Sequence, residues 1–131
     1  MSCEVLLGTW KSDKEISIEY NFKYFEPTEE QQEFYNQVLG NMKLTYTETT
    51  IKEHFVPTIK IKVKNKTLDF GIEESEYSYE VISCNEGTVK VKFLDPLGED
   101  KISEIHFENE NLYWISFGDP EVFREYFARV E

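Results

Sequence analysis

From Met42 onward the hydrophobic period of this chain is close to two, and that pattern limits what it can fold into. Ile59, Ile61 and Val63 alternate with Lys60, Lys62 and Lys64, and Val89, Val91 and Phe93 alternate with Lys90 and Lys92. Successive side chains on a strand point to opposite faces, so each run reads as a strand with one face in a core and one in water. Turn residues separate the runs: Thr49-Thr50, Asn65-Lys66, Asn85-Glu86-Gly87, Pro96-Leu97-Gly98 and Asn109-Glu110-Asn111. Asp119-Pro120-Glu121 starts one turn of helix before a last strand from Arg124 to Val130. Consecutive hairpins make an antiparallel meander, and a long meander removes its exposed edges by closing into a barrel. The pattern therefore predicts a mainly β, up-and-down antiparallel barrel of eight to ten strands. An open sheet covered by helices is the alternative.

The segment before Met42 reads differently. Leu6 to Lys11 is the opening strand, and Ser12-Asp13-Lys14-Glu15 fits a capping box with Ser12 as the cap. Ile16, Ile18, Tyr20, Phe22 and Tyr24 alternate like a strand, while Ile16, Tyr20 and Tyr24 also share a helix face; the cap favours helix. Pro27-Thr28-Glu29-Glu30 reads as a second helix start, with Phe34, Tyr35 and Val38 apolar and Gly40 as its stop. No linker or repeat divides the chain, so residues 1–131 form one domain.

Charge and cysteine usage restrict the partners. The net charge is −12, which excludes a nucleic acid or an anionic membrane as the expected partner, since both need a basic surface. Aromatic residues make up 15% of the chain, enough to build a core rather than remain disordered. The apolar stretch Val5-Leu6-Leu7 is too short for a membrane span or a secretory signal. Cys3 and Cys84 are too few for a disulfide framework and read as reduced thiols, which predicts a cytoplasmic protein.

Gly8-Thr9-Trp10 in the first strand resembles the G-x-W signature of the calycin superfamily, the lipocalins and fatty-acid-binding proteins. There Gly8 would let the chain pass closely at the closed end of the barrel and Trp10 would plug it. Phe127-Ala128-Arg129 is similar to the lipocalin element that packs an arginine over that tryptophan, a cation–π pair. The helical pair after strand one is similar to the lid of the fatty-acid-binding proteins, and Leu7 to Phe55 looks most like small bacterial lipocalin-like proteins. The resemblance implies a calycin-like barrel with Gly8, Trp10 and Arg129 as its structural signature.

It also implies a site. Arg124 and Tyr126 match an Arg-x-Tyr of the fatty-acid-binding proteins that holds a ligand carboxylate, so Arg124 is expected inside the barrel with Tyr126 beside it. The alternative for Arg124 is to cap the turn before it and pair with Asp119 or Glu121. Tyr46, Phe55, Tyr77, Tyr79, Phe93, Tyr113 and Trp114 could line a cavity, or fill it, since small barrels are often packed solid. Other chemistry finds little support. His106 with Glu104 and Glu108 shares one strand face but reads as a solvated outer face, and His54 lies with Lys52 and Val56, pointing outward, which disfavours metal and haem. No nucleophile elbow, phosphate loop or zinc-protease motif occurs. The expected function is non-catalytic binding of a small apolar or amphipathic ligand, with no cofactor or metal. The runner-up is an acidic module, with a packed barrel, that binds or inhibits a basic protein.

Overall fold

The computed structural model of the chain describes residues 3–54, 56–63, 65–72, 74–94, 98–117 and 123–130. Strand β1 (Gly8–Asp13) leads into helices α1 (Lys14–Phe25) and α2 (Glu29–Val38). Then come β2 (Lys43–Tyr46), β3 (Thr50–Glu53), β4 (Val56–Val63), β5 (Lys66–Ile72) and β6 (Ser75–Asn85). The last four strands are β7 (Thr88–Leu94), β8 (Asp100–Asn109), β9 (Leu112–Phe117) and β10 (Phe123–Arg129). Eight strands close a barrel in the order β1-β10-β9-β8-β7-β6-β3-β2, because β1 pairs with both β10 and β2. That closure removes the open-sheet alternative and gives a mainly β, antiparallel barrel compatible with a calycin-like fold.

The strand with the clearest alternation is not part of the barrel wall. β4 and β5 form a separate two-stranded sheet, because β3 pairs directly with β6 and leaves the segment between them as an excursion. Lys60 is exposed as expected, whereas the side chains of Ile59, Ile61, Val63 and Lys62, like Lys64 and the turn at Asp119-Pro120-Glu121, lie outside the described residues.

One end of the barrel is plugged. Gly8 adopts φ 119°, a region that side chains disfavour, where a short 3-10 helix (Cys3–Leu6) turns into β1. Trp10 is fully buried, donates its indole N–H to the Leu6 carbonyl at 2.9 Å, and packs on Tyr113 with ring centroids 4.7 Å apart. The Arg129 guanidinium lies 4.3 Å from the centre of the Trp10 ring and donates to the carbonyls of Leu7, Val5 and Glu110. It is thus both a cation–π lid and a clamp on the N-terminal segment. A disulfide joins Cys3 to Cys84, 81 positions apart, and ties that segment to β6. The reading of two reduced thiols is corrected: the 3-10 helix that covers Trp10 carries Cys3 to the end of β6, a coincidence in space that two distant cysteines do not show in sequence.

Helix α1 resolves the ambiguity of residues 16–24, with one correction. The cap is Asp13, whose carboxylate accepts the Ile16 N–H at 3.1 Å, not Ser12. Strand β1 runs to Asp13, so its alternation turns Ser12 inward and buries it. Where β1 ends, β10 continues, and α1 takes the place of the missing strand. Tyr126 N–H donates to Ser17 Oγ at 2.8 Å, Arg124 N–H donates to Asn21 Oδ1 at 2.9 Å, and Asn21 Nδ2 donates to the Arg124 carbonyl at 2.8 Å. Ser17 and Asn21, one helical turn apart, are therefore fully buried although polar. Helix α2 starts with a full capping box between Thr28 and Gln31.

Trp10→Ala should destabilise the protein by about 3–5 kcal/mol in urea denaturation, as expected for deleting a large, fully buried side chain. Asn21→Leu, similar in size but unable to bond, should cost about 1–3 kcal/mol for each β10 backbone group it leaves unpaired, read from the same transition.

Candidate functional site

The strand register divides the barrel interior into two halves. Trp10 pairs with Arg129 and Ser12 with Phe127, so these four side chains share the inner face, and the same parity carries around the wall. Toward the Trp10 end the inward residues Leu44, Tyr46, Val89, Ile105, Tyr113 and Phe127 are buried against one another. Toward the other end the inward residues Glu53, Tyr77, Phe93, Ser103, Ile115 and Glu125 are only partly buried. Burial on the inner face is thus greatest toward the Trp10 end and falls toward the other, where Tyr77, Phe93 and Ile115 still pack against the core.

A pair of phenols floors the partly exposed half: the Tyr46 and Tyr113 hydroxyls meet at 3.0 Å. Burial pushes both well above the ordinary tyrosine value, so both stay neutral. On the wall, Tyr77 donates its hydroxyl to Glu53 Oε1 at 3.0 Å, and its ring lies 5.6 Å from that of Phe93. Glu125 accepts from Ser12 Oγ at 2.7 Å, and Ser12 Oγ in turn accepts the Gly40 N–H at 3.0 Å. Part of Glu125 reaches solvent, but its carboxyl is enclosed enough that burial pushes its pKa up, against the lowering effect of the Ser12 hydrogen bond. The two carboxylates act on one floor: Glu53 raises the Tyr46 phenol and Glu125 raises the Tyr113 phenol.

The expected ligand residues divide between the two sides of the wall. Tyr46, Tyr79 and Phe93 face inward, with the Tyr79 hydroxyl fixed to the Thr47 carbonyl at 2.6 Å. Phe55 lies outside the described residues. Arg124, Tyr126 and Trp114 face outward, which corrects the expectation of an inward Arg124. Phe127 must point inward to stack on Tyr113 at 5.1 Å, and the period of two then turns Tyr126 and Arg124 outward, opposite Trp114 and Ser116. The face of β10 that carries few charges is covered by α1 rather than by the barrel interior. There Arg124 donates to the Tyr126 hydroxyl at 3.0 Å, and its guanidinium lies 3.6 Å from the Trp114 ring centre and 4.2 Å from that of Tyr20. Glu108 Oε1 stands 3.9 Å away. A guanidinium held between two rings on the outer face does not anchor a carboxylate inside.

The histidines are outward as expected. His106 stacks on Trp114 at 4.2 Å, 3.6 Å from Glu104, and burial with the nearby Arg124 lowers its pKa against the raising effect of Glu104. His54 Nε2 meets Thr45 Oγ1 at 2.6 Å. Among the described residues no group of three metal-ligating side chains forms. Sequence reasoning missed Glu53, Glu125 and Ser12. Their signal was parity: Glu125 stands two positions before Phe127, and Ser12 two after Trp10, each on the inner register. Comparisons with protein-family models, curated proteins and solved structures find no match to this chain.

Because the folded-state pKa of Glu125 is raised above 4.5, ionising it costs stability at neutral pH and protonating it recovers that stability. Glu125→Gln should therefore melt higher than the native chain at pH 7.5. The difference should shrink as pH falls through the range just above 4.5 and be absent below it.

Proposed function

We propose that this chain is a member of the calycin superfamily that holds a small apolar or amphipathic molecule, without catalysis, in the partly exposed half of its barrel. The observation that carries this reading is the change in packing along the barrel axis: the same inward register that is filled around Trp10 is partly exposed at Tyr77, Phe93 and Ile115. A barrel that served only as a scaffold would gain from burying those apolar groups, at roughly 25 cal/mol per Å². Binding sites for small molecules combine such walls with a few polar groups that fix orientation, and Glu125, Glu53 and the Tyr46–Tyr113 pair would take that role. The rival reading, an acidic module for a basic protein, draws on the charge of −12 and on the outward, exposed Leu94 and Ile102.

We also read the Cys3–Cys84 bond as placing the working protein in an oxidising compartment rather than the cytoplasm. No described helix is long and apolar enough to cross a membrane.

A neutral solvatochromic dye such as Nile red should bind saturably at one site. Ile115→Trp, which adds bulk on the inward register, should abolish that binding, while Ile102→Trp on the outer face leaves it unchanged. Absent or non-saturable binding would move the assignment to the protein-interaction reading. Protein isolated with free thiols blocked at lysis should take up maleimide at Cys3 and Cys84 only after reduction; labelling without reduction would return it to a reducing compartment.

A further inference from the structure

We propose that the ligand of the partly exposed half is an amphipathic amine, its ammonium group held by Glu125 with Glu53 and its apolar part against Tyr77, Phe93 and Ile115. The inference rests on the carrier reading above and adds the chemical class of what is carried. The wall supplies acceptors on the inner register: Glu125 on β10 and Glu53 on β3. Glu125 has a single hydrogen bond among the described residues, from Ser12, and forms no ion pair with any of them. A carboxylate so placed is stabilised by a cation that enters with the ligand. The Tyr77 ring, whose hydroxyl bonds Glu53, and the Phe93 ring against it offer faces to an ammonium, which aromatic rings attract.

The basic side chains near this end do not occupy that place. Arg124 is held outside between Tyr20 and Trp114, and Arg129 is committed to the Trp10 end. Lys101 pairs in register with Phe93, so it lies on the inward register at the rim, but it is exposed and stands 3.8 Å from Glu99. An acid headgroup would meet two carboxylates instead of a guanidinium. The net charge of −12 works in the same direction, drawing cations toward the mouth and repelling anions.

The test uses three dansylated alkyl probes of equal chain length, ending in a primary amine, its N-acetyl derivative or a carboxylate, titrated at pH 7.5 and low salt. The amine should bind at least about tenfold tighter than the acetylated probe, and the carboxylate weakest. Glu125→Gln should remove the preference for the amine over the acetylated probe, and its cooperative thermal transition shows that the variant is folded. Glu53→Gln should reduce the preference in part. Equal binding of amine and acetylated probes would overturn the proposal and leave the carrier reading standing, as would a preference that survives both substitutions. Failure of all three probes to bind would instead remove the carrier reading itself.

Discussion

A closed barrel must pair the backbone of every strand along its whole length, and in this chain one strand is too short to do so. β1 ends at Asp13 while β10 extends to Phe123, so the upper part of β10 would stand as an open edge. The Ser17 and Asn21 side chains of α1 bond that edge in place of a strand. The arrangement of the upper wall follows from it. With α1 fixed against β10, Tyr20 covers Tyr126 and holds Arg124 against Trp114 on the outer face. The inner face of the same stretch is left to Phe127 and Glu125. The helix thus closes the wall and packs on the outward arginine, while the parity that Phe127 fixes in β10 leaves Glu125 inside.

Most of the architecture was legible in the sequence because it depends on period and on a few fixed points. The alternation after Met42 specified strands, and Gly8, Trp10 and Arg129 located the plugged end. What could not be read depends on contacts distant in sequence. Ser17 and Asn21 are polar, so a search for apolar faces sees no reason to bury them, and the strand-like alternation of Ile16 to Tyr24 competes with the helix. The β4–β5 pair has the clearest strand pattern of all, but period says nothing about which neighbour a strand pairs with. For the site, the resemblance groups Arg124 and Tyr126 with the inward rings, whereas the barrel assigns alternate positions of β10 to different compartments. Glu125 was hidden among 26 acidic residues and becomes distinct only once Phe127 fixes the parity.

The two halves of the interior divide the work of the fold. Around Trp10 the rings of Tyr113, Phe127 and Phe107 pack into one another, and Arg129 and the disulfide secure the segment that covers them. Stability is concentrated there. The opposite half can then leave carboxylates and ring faces partly uncovered, an arrangement that would be costly if the whole barrel had to be held together by it.

The excursion through β4 and β5 has a consequence for how this architecture tolerates change. Glu53 and Ser75, which flank it, stand opposite each other in the ladder between β3 and β6. The intervening chain leaves and rejoins the wall at adjacent points, and among the described residues no barrel ladder runs through the two-stranded sheet it contains. Lengthening a loop whose ends are already fixed costs little, about 0.6 kcal/mol for each doubling. Register in the eight barrel strands is therefore indifferent to what is spliced between those two residues. A chain built on this frame can carry a longer or shorter excursion there, provided the contact of β4 with α2 is kept or replaced, while the cylinder keeps its geometry.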